Sequence, residues 1–212
     1  MMTRRSLAGL LLMAPAASGV IVDRTAITVG AKVITESEIN RRIRLAAFQN
    51  GQLPDFSETS RREAAQRLID LKLVEREMDL GHYARTPPEQ AKALLDAFTT
   101  EHFRGSPEAL RLALAATDLT PADLQAEFAE QADLLSFTNL RFRPAVEISE
   151  AEIEEYFHNH IEKVGAPPMT LAEARANIEQ ILIGERADLA LDTWLQDQRG
   201  HTRILYLEKE LQ

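Results

Sequence analysis

Six segments of the chain open with the same sign, a hydroxyl residue followed three positions later by an acid. They are Thr35 with Glu38, Ser60 with Glu63, Thr86 with Glu89, Thr120 with Asp123, Ser149 with Glu152 and Thr170 with Glu173. In a capping box the hydroxyl accepts from the third amide of a helix, and the acid reaches back to the amide of the cap. The acid also lies at the positive end of the helix dipole. One match recurs by chance. Six, each followed by apolar residues at helical spacing, specify a mainly helical protein. Pro87 and Pro121 fall at first helical positions, where the missing N–H is no loss. Ser106-Pro107 marks a seventh start.

The helices expected from these signs cover about 36–50, 60–80, 87–104, 107–116, 121–142, 150–162 and 171–198. In the first, Ile39, Ile43, Ala46 and Ala47 form an apolar stripe. The second carries Leu68, Ile69, Leu71, Leu73, Val74 and Met78 around most of its circumference, as a central buried helix does. Gly81 is placed to stop it. Two stretches read as strand. Ala26 to Ile34 holds two β-branched runs about Gly30-Ala31, a hairpin sign. Gly200 is expected to close the last helix, and Thr202 to Leu207 then alternates as a strand. A lone hairpin is marginal in water, so its simplest partner is this C-terminal strand. The fold class is therefore mainly α, with a small antiparallel sheet in which an N-terminal hairpin and a C-terminal strand meet.

The N-terminus has a different pattern. Arg4 and Arg5 precede an apolar run from Leu7 to Ala17, and small residues follow through Gly19. This is the layout of a secretory signal peptide over 1–19, cleaved near 16–19. The run is too short to span a bilayer, and Pro15 interrupts it. The expected organisation continues with a helical domain over 20–163 and a linker over 164–169, where Gly165, Pro167 and Pro168 stop a helix. A closing helix and strand over 170–212 fold back on the core. The chain of 212 residues has a formal net charge of −9, which disfavours nucleic acid as a partner. It has no cysteine, so disulfide and thiolate chemistry are excluded.

No grouping suited to catalysis stands out. There is no Gly-x-Ser-x-Gly and no phosphate-cradling Gly run. His158 and His160 lie two apart and point to different sides of a helix. Glu154 and His158 share a face but read as a solvated helix end. No catalytic residue, metal ligand or cofactor is assigned. Apolar residues outside helical periodicity attract more interest. Leu53 and Phe56 fall in the loop Asn50 to Ser57. They are expected first to fold back over the core, and second to anchor an extended polypeptide. Phe98 and Phe103 are read the same way. With Leu45 and Phe48 these residues form the candidate peptide-binding set. Trp194 is expected to anchor the final helix.

Four stretches resemble the SurA family of periplasmic chaperones. Val22 to Ile39 resembles the family's mature start: a valine-aspartate-basic opening, a short hairpin, then a capped helix. Arg67 to Val74 resembles its central helix, and Glu147 to Phe157 the helix leading into the parvulin domain. Ala174 to Leu207, through Trp194-Leu195, resembles the closing helix and strand. The resemblance implies a SurA-like helical core and holdase activity toward unfolded envelope proteins, outer-membrane proteins among them. It departs where the parvulin domain belongs, since only 164–169 occupies that place and no isomerase residue can be carried over. With no parvulin site to carry over, the chain is expected to be a non-enzymatic periplasmic chaperone whose partners are unfolded or partly folded clients, and exchange of its terminal elements is a separate route to a dimer. The alternatives are a factor that binds one folded partner and a relative with prolyl isomerase activity.

Overall fold

The computed structural model describes residues 23–162 and 169–211. The signal sequence expected at 1–19 and the linker expected at 164–169, apart from Met169, lie outside them. The elements are β1 (Thr25–Val29), β2 (Lys32–Thr35), α1 (Glu36–Gln49), α2 (Glu58–Leu80), α3 (Pro88–Phe103), α4 (Pro107–Ala115), α5 (Pro121–Arg141), α6 (Glu150–Phe157), α7 (Leu171–His201) and β3 (Ile204–Tyr206). The chain is thus mainly helical with one small antiparallel sheet, ordered β2-β1-β3.

Local chemistry places most helix starts where the hydroxyl-acid signs put them. Thr35, Thr120, Ser149 and Thr170 each form a complete capping box. Ser106 caps α4 through the amide of Ala109. Two expected caps are displaced. The cap of α2 is Ser57, not Ser60, and the helix begins at Glu58. Asp55 organises this start by accepting from the Ser57 amide and from both serine hydroxyls at 2.6–2.9 Å. At α3 the Thr86 hydroxyl is spent as a donor to Asp133, at 2.6 Å. Pro87 becomes the cap, without a side-chain bond, and Pro88 takes the first helical position. The stops differ too. Gly200 lies inside α7, which runs on to His201 before Thr202 turns extended. The α form of α6 ends at Phe157, and a π turn covers His158–Glu162.

The sheet joins both ends of the described chain. Val29 pairs with Lys32 across a two-residue turn. Gly30 there takes φ 59, the positive value a two-residue hairpin turn needs at its first position. Its N–H donates to Arg203 O at 2.9 Å, so the turn also fixes the entry to β3. The register slips between Thr25 and Ile27, and Ala26 and Ile27 are both fully buried. Such a bulge lets two successive residues escape strict alternation.

The helix α2 is the central element. Leu68, Ile69 and Leu73 join Ile27, Ile34 and Ile39 in a core beneath the sheet, and Leu211 closes it. Farther along, Val74 and Met78 pack with Phe137 of α5 and Leu191 of α7. Trp194 anchors α7 here, 5.3 Å from the Phe137 ring. A third cluster gathers Leu45, Leu110, Leu114, Leu119 and Leu124 among α1, α3, α4 and α5. The N-terminal half of α7 packs separately on α6 through Ile153, Ala174 and Ile178. Each buried Leu or Ile is worth about 2 kcal/mol, more than any single cap, so caps locate the helix ends while packing holds the helices together. Among the described residues no helix is long and apolar enough to cross a membrane.

Candidate functional site

A groove of about 420 Å3 opens over the middle of α2. One wall is α1 and α5, and the other is α7. Its floor is apolar: Ala46, Leu71, Val74, Leu134, Leu191 and Leu195. The walls follow from helical periodicity. Leu71 and Val74 lie three apart on α2 and face the same way, as do Leu191 and Leu195, four apart on α7. Leu134 and Leu191 of this floor pack with Phe137 in the core cluster of α2, α5 and α7. At one end Ala46, Asn50 and Arg67 continue into a shallower hollow of about 220 Å3, which Leu53 and Asp55 also line.

The rim is polar and mixed in charge. Arg42 bonds both Glu127 and Glu130 across the α1–α5 wall. Glu127 is only 6% exposed and Arg42 12%, so this is a largely desolvated pair. Glu127 also accepts from Gln131 at 2.8 Å, and Gln131 reaches Gln49 at 3.3 Å. On the opposite rim Arg199 donates to Asp70 at 2.8 Å and to Gln66 at 2.6 Å. Burial pushes the Asp70 carboxyl above the ordinary carboxylate range; Arg199 opposes this, and the nearby charge of Asp192 adds to it. Gln49, Asn50 and Gln131 thus put amide donors and acceptors beside an apolar floor. Such a surface suits an extended backbone carrying apolar side chains.

The candidate peptide-binding residues separate into two places. Phe48, Phe98 and Phe103 lie against one another with ring centroids 6.1–6.2 Å apart. Phe98 also meets Phe128 at 5.5 Å. These rings are half-buried and pack against the buried cluster that includes Leu45, among α1, α3, α4 and α5. Leu45 lines a cleft of about 120 Å3 on the far side of Arg42. Leu53 and Phe56 are different. The loop does not fold Leu53 over the core: its side chain is 90% exposed beside the hollow at the groove's end. Asp55 ties the end of the loop to the start of α2 through Ser57 and Ser60. Phe56 is exposed too, with the Arg44 guanidinium 5.5 Å from its ring centre.

The groove floor escaped the sequence reading. Leu71, Leu134 and Leu195 carry ordinary helical periodicity, and only the separation of α1 from α7 leaves them uncovered. The histidines give no site. His158 pairs with Glu162 rather than Glu154, and His160 stacks on Tyr156 at 4.2 Å. Among the described residues no three His, Asp or Glu side chains are grouped to hold a metal ion. Compared with known proteins, the chain matches no family model and no curated protein.

Proposed function

We propose that this chain is an exported, non-enzymatic holdase that binds unfolded or partly folded envelope polypeptides in the groove over α2. The observation that carries the reading is the groove itself: an apolar floor of about 420 Å3 bordered by amide side chains and leading to an exposed Leu53. Apolar side chains of a client would replace water on Leu71, Leu134 and Leu195. The amides of Gln49, Asn50 and Gln131 would satisfy its backbone. An open groove with few fixed polar contacts gives modest affinity, which a holdase needs if clients are to leave. The order of elements supports the same reading, because it resembles a SurA-type core without a parvulin domain. The signal-like N-terminus supports periplasmic or other export.

The test is aggregation of a denatured outer-membrane β-barrel protein on dilution from urea, followed by light scattering. The reading predicts suppression at stoichiometric chain. Ala46→Phe, which fills the groove from a half-buried position, should weaken suppression while thermal unfolding stays close to that of the parent. Scattering that is the same with and without the protein counts against a holdase.

A further inference from the structure

Charge around the groove is not balanced. Two arginines, Arg42 and Arg67, line it against four carboxylates, Asp70, Glu127, Glu130 and Asp192. Arg42 is already shared between two of these, and Arg199 answers Asp70 from outside the lining. Asp192 makes no ion pair among the described residues, and neither does Arg67. The two stand at different places. Asp192 lies one turn before Leu195 on the α7 wall, beside Asp70. Arg67 stands where the groove runs into the hollow beside Leu53. Asp192 is thus a carboxylate without an ion-pair partner on the α7 wall, with an apolar floor directly below it. The whole chain, at −9, adds a field that draws cations and repels anions.

We infer that the groove prefers segments in which a Lys or Arg stands close to an apolar residue, with the cation against Asp192 and the apolar side chain on Leu71 and Leu195. This inference rests on the peptide-binding reading above and adds the chemistry of the client. A cation there meets a carboxylate with no competing partner, and its aliphatic stem lies along the apolar wall. An acidic side chain at the same place meets Asp192 and is repelled. Exposed Asp192 tunes selectivity more than it supplies affinity, because a solvated ion pair is weak and like-charge contact at an interface is strongly discriminated against.

The experiment compares three fluorescent peptides of one length and one apolar pattern, with Lys, Gln or Glu at the intervening positions. Binding is read by anisotropy, at low and high salt, on the full chain. The Lys peptide is expected to bind about tenfold tighter than the Glu peptide, with the difference shrinking in high salt. Asp192→Asn should weaken the Lys peptide by roughly threefold and leave the Gln peptide unchanged. Asp192→Lys should reverse the order of the Lys and Glu peptides. Because Asp192 is exposed, both variants should keep the parent's unfolding curve. Equal affinity for all three peptides overturns the selectivity and leaves the holdase reading standing. A Lys preference unchanged in both variants overturns the assignment to Asp192. If no peptide binds, the groove reading itself falls, and this inference with it.

Discussion

Glu127 is the residue on which the groove wall turns. It is a nearly enclosed carboxylate whose charge is answered by Arg42, with Gln131 as a further donor. Removing one member of such a pair strands the other, which costs more than the pair itself contributes. Arg42→Ala should therefore destabilise the protein by about 3 kcal/mol in urea unfolding. Arg42→Met combined with Glu127→Met should recover much of that loss. A loss for Arg42→Ala typical of an exposed ion pair would show that water reaches the pair freely. The carboxylates at the helix starts act in the opposite place, at the surface. Asp23 is held below the ordinary carboxylate range first by the Ser37 hydroxyl, and Asp55 by that of Ser60. Glu152 is held down first by the Ser149 hydroxyl and Glu173 by the Thr170 amide. A lowered folded pKa contributes stability that is present above the unfolded value and lost as pH falls through the folded one. Asp70, raised by burial, has the reverse sign: its contribution is present at low pH and lost as pH rises through its folded pKa. Asp79, bonded by Arg85, and Glu108, bonded by Arg111, are held down as well, so six lowered carboxylates against one raised by burial predict a net loss of stability as pH falls through the carboxylate range. Glu173→Gln should flatten that dependence, as chemical denaturation at a series of pH values would show.

At the scale of the element, the start of α2 separates two serines by experiment. Ser57 caps the helix, accepting from the Ser60 amide, whereas Ser60 lies within the first turn. Ser57→Ala should cost about 1 kcal/mol, and Ser60→Ala clearly less. The reverse order would restore the cap expected from Ser60 and Glu63. This helix shows what local patterns carry and where they stop. Four hydroxyl-acid signs, the Gly30 turn and the central burial of α2 are all local or periodic features, and they were legible. The displaced caps depend on non-local or competing partners: Asp133 of α5 takes the Thr86 hydroxyl, and Asp55 favours Ser57. Gly200 was misjudged because a glycine near a helix end is a stop only when the chain must turn there. The turn comes at Thr202, where the N–H of Gly30 meets Arg203. The bulge that buries Ala26 beside Ile27 has no sign in the alternation. Leu53 is visible in the sequence as an apolar residue in a loop, but its exposure is a matter of how the loop packs, which no local pattern carries. The groove floor was invisible, because whether an apolar helix face is covered is a property of its neighbours.

The whole molecule is a chain closed on itself. Leu207 N–H donates to Ala26 O at 2.8 Å, and Tyr206 accepts from Gln66 of α2 at 3.0 Å. Arg61 of α2 bonds Asn40 at 3.1 Å and Glu208 at 3.0 Å, so one guanidinium ties the N-terminal and C-terminal segments together. Buried Leu211 packs into the core beneath the sheet. Leu211→Ala should cost about 3 kcal/mol and loosen both ends together, seen as faster amide exchange in β1 and β3 alike. Loosening of β3 alone would contradict a shared closure. This frame holds α1 and α7 on opposite sides of α2, and the open space between them is what the proposed function depends on. The most direct test is methyl-detected NMR of the full chain, with leucine and valine methyls labelled, titrated with an unfolded outer-membrane polypeptide. The holdase account predicts shifts at Leu53, Leu71, Leu134 and Leu195, with Leu110 and Leu114 of the aromatic core unmoved. Shifts confined to the exposed residues Val33 and Leu205 of the sheet and Leu207 just beyond it, with the groove methyls unchanged, would contradict it.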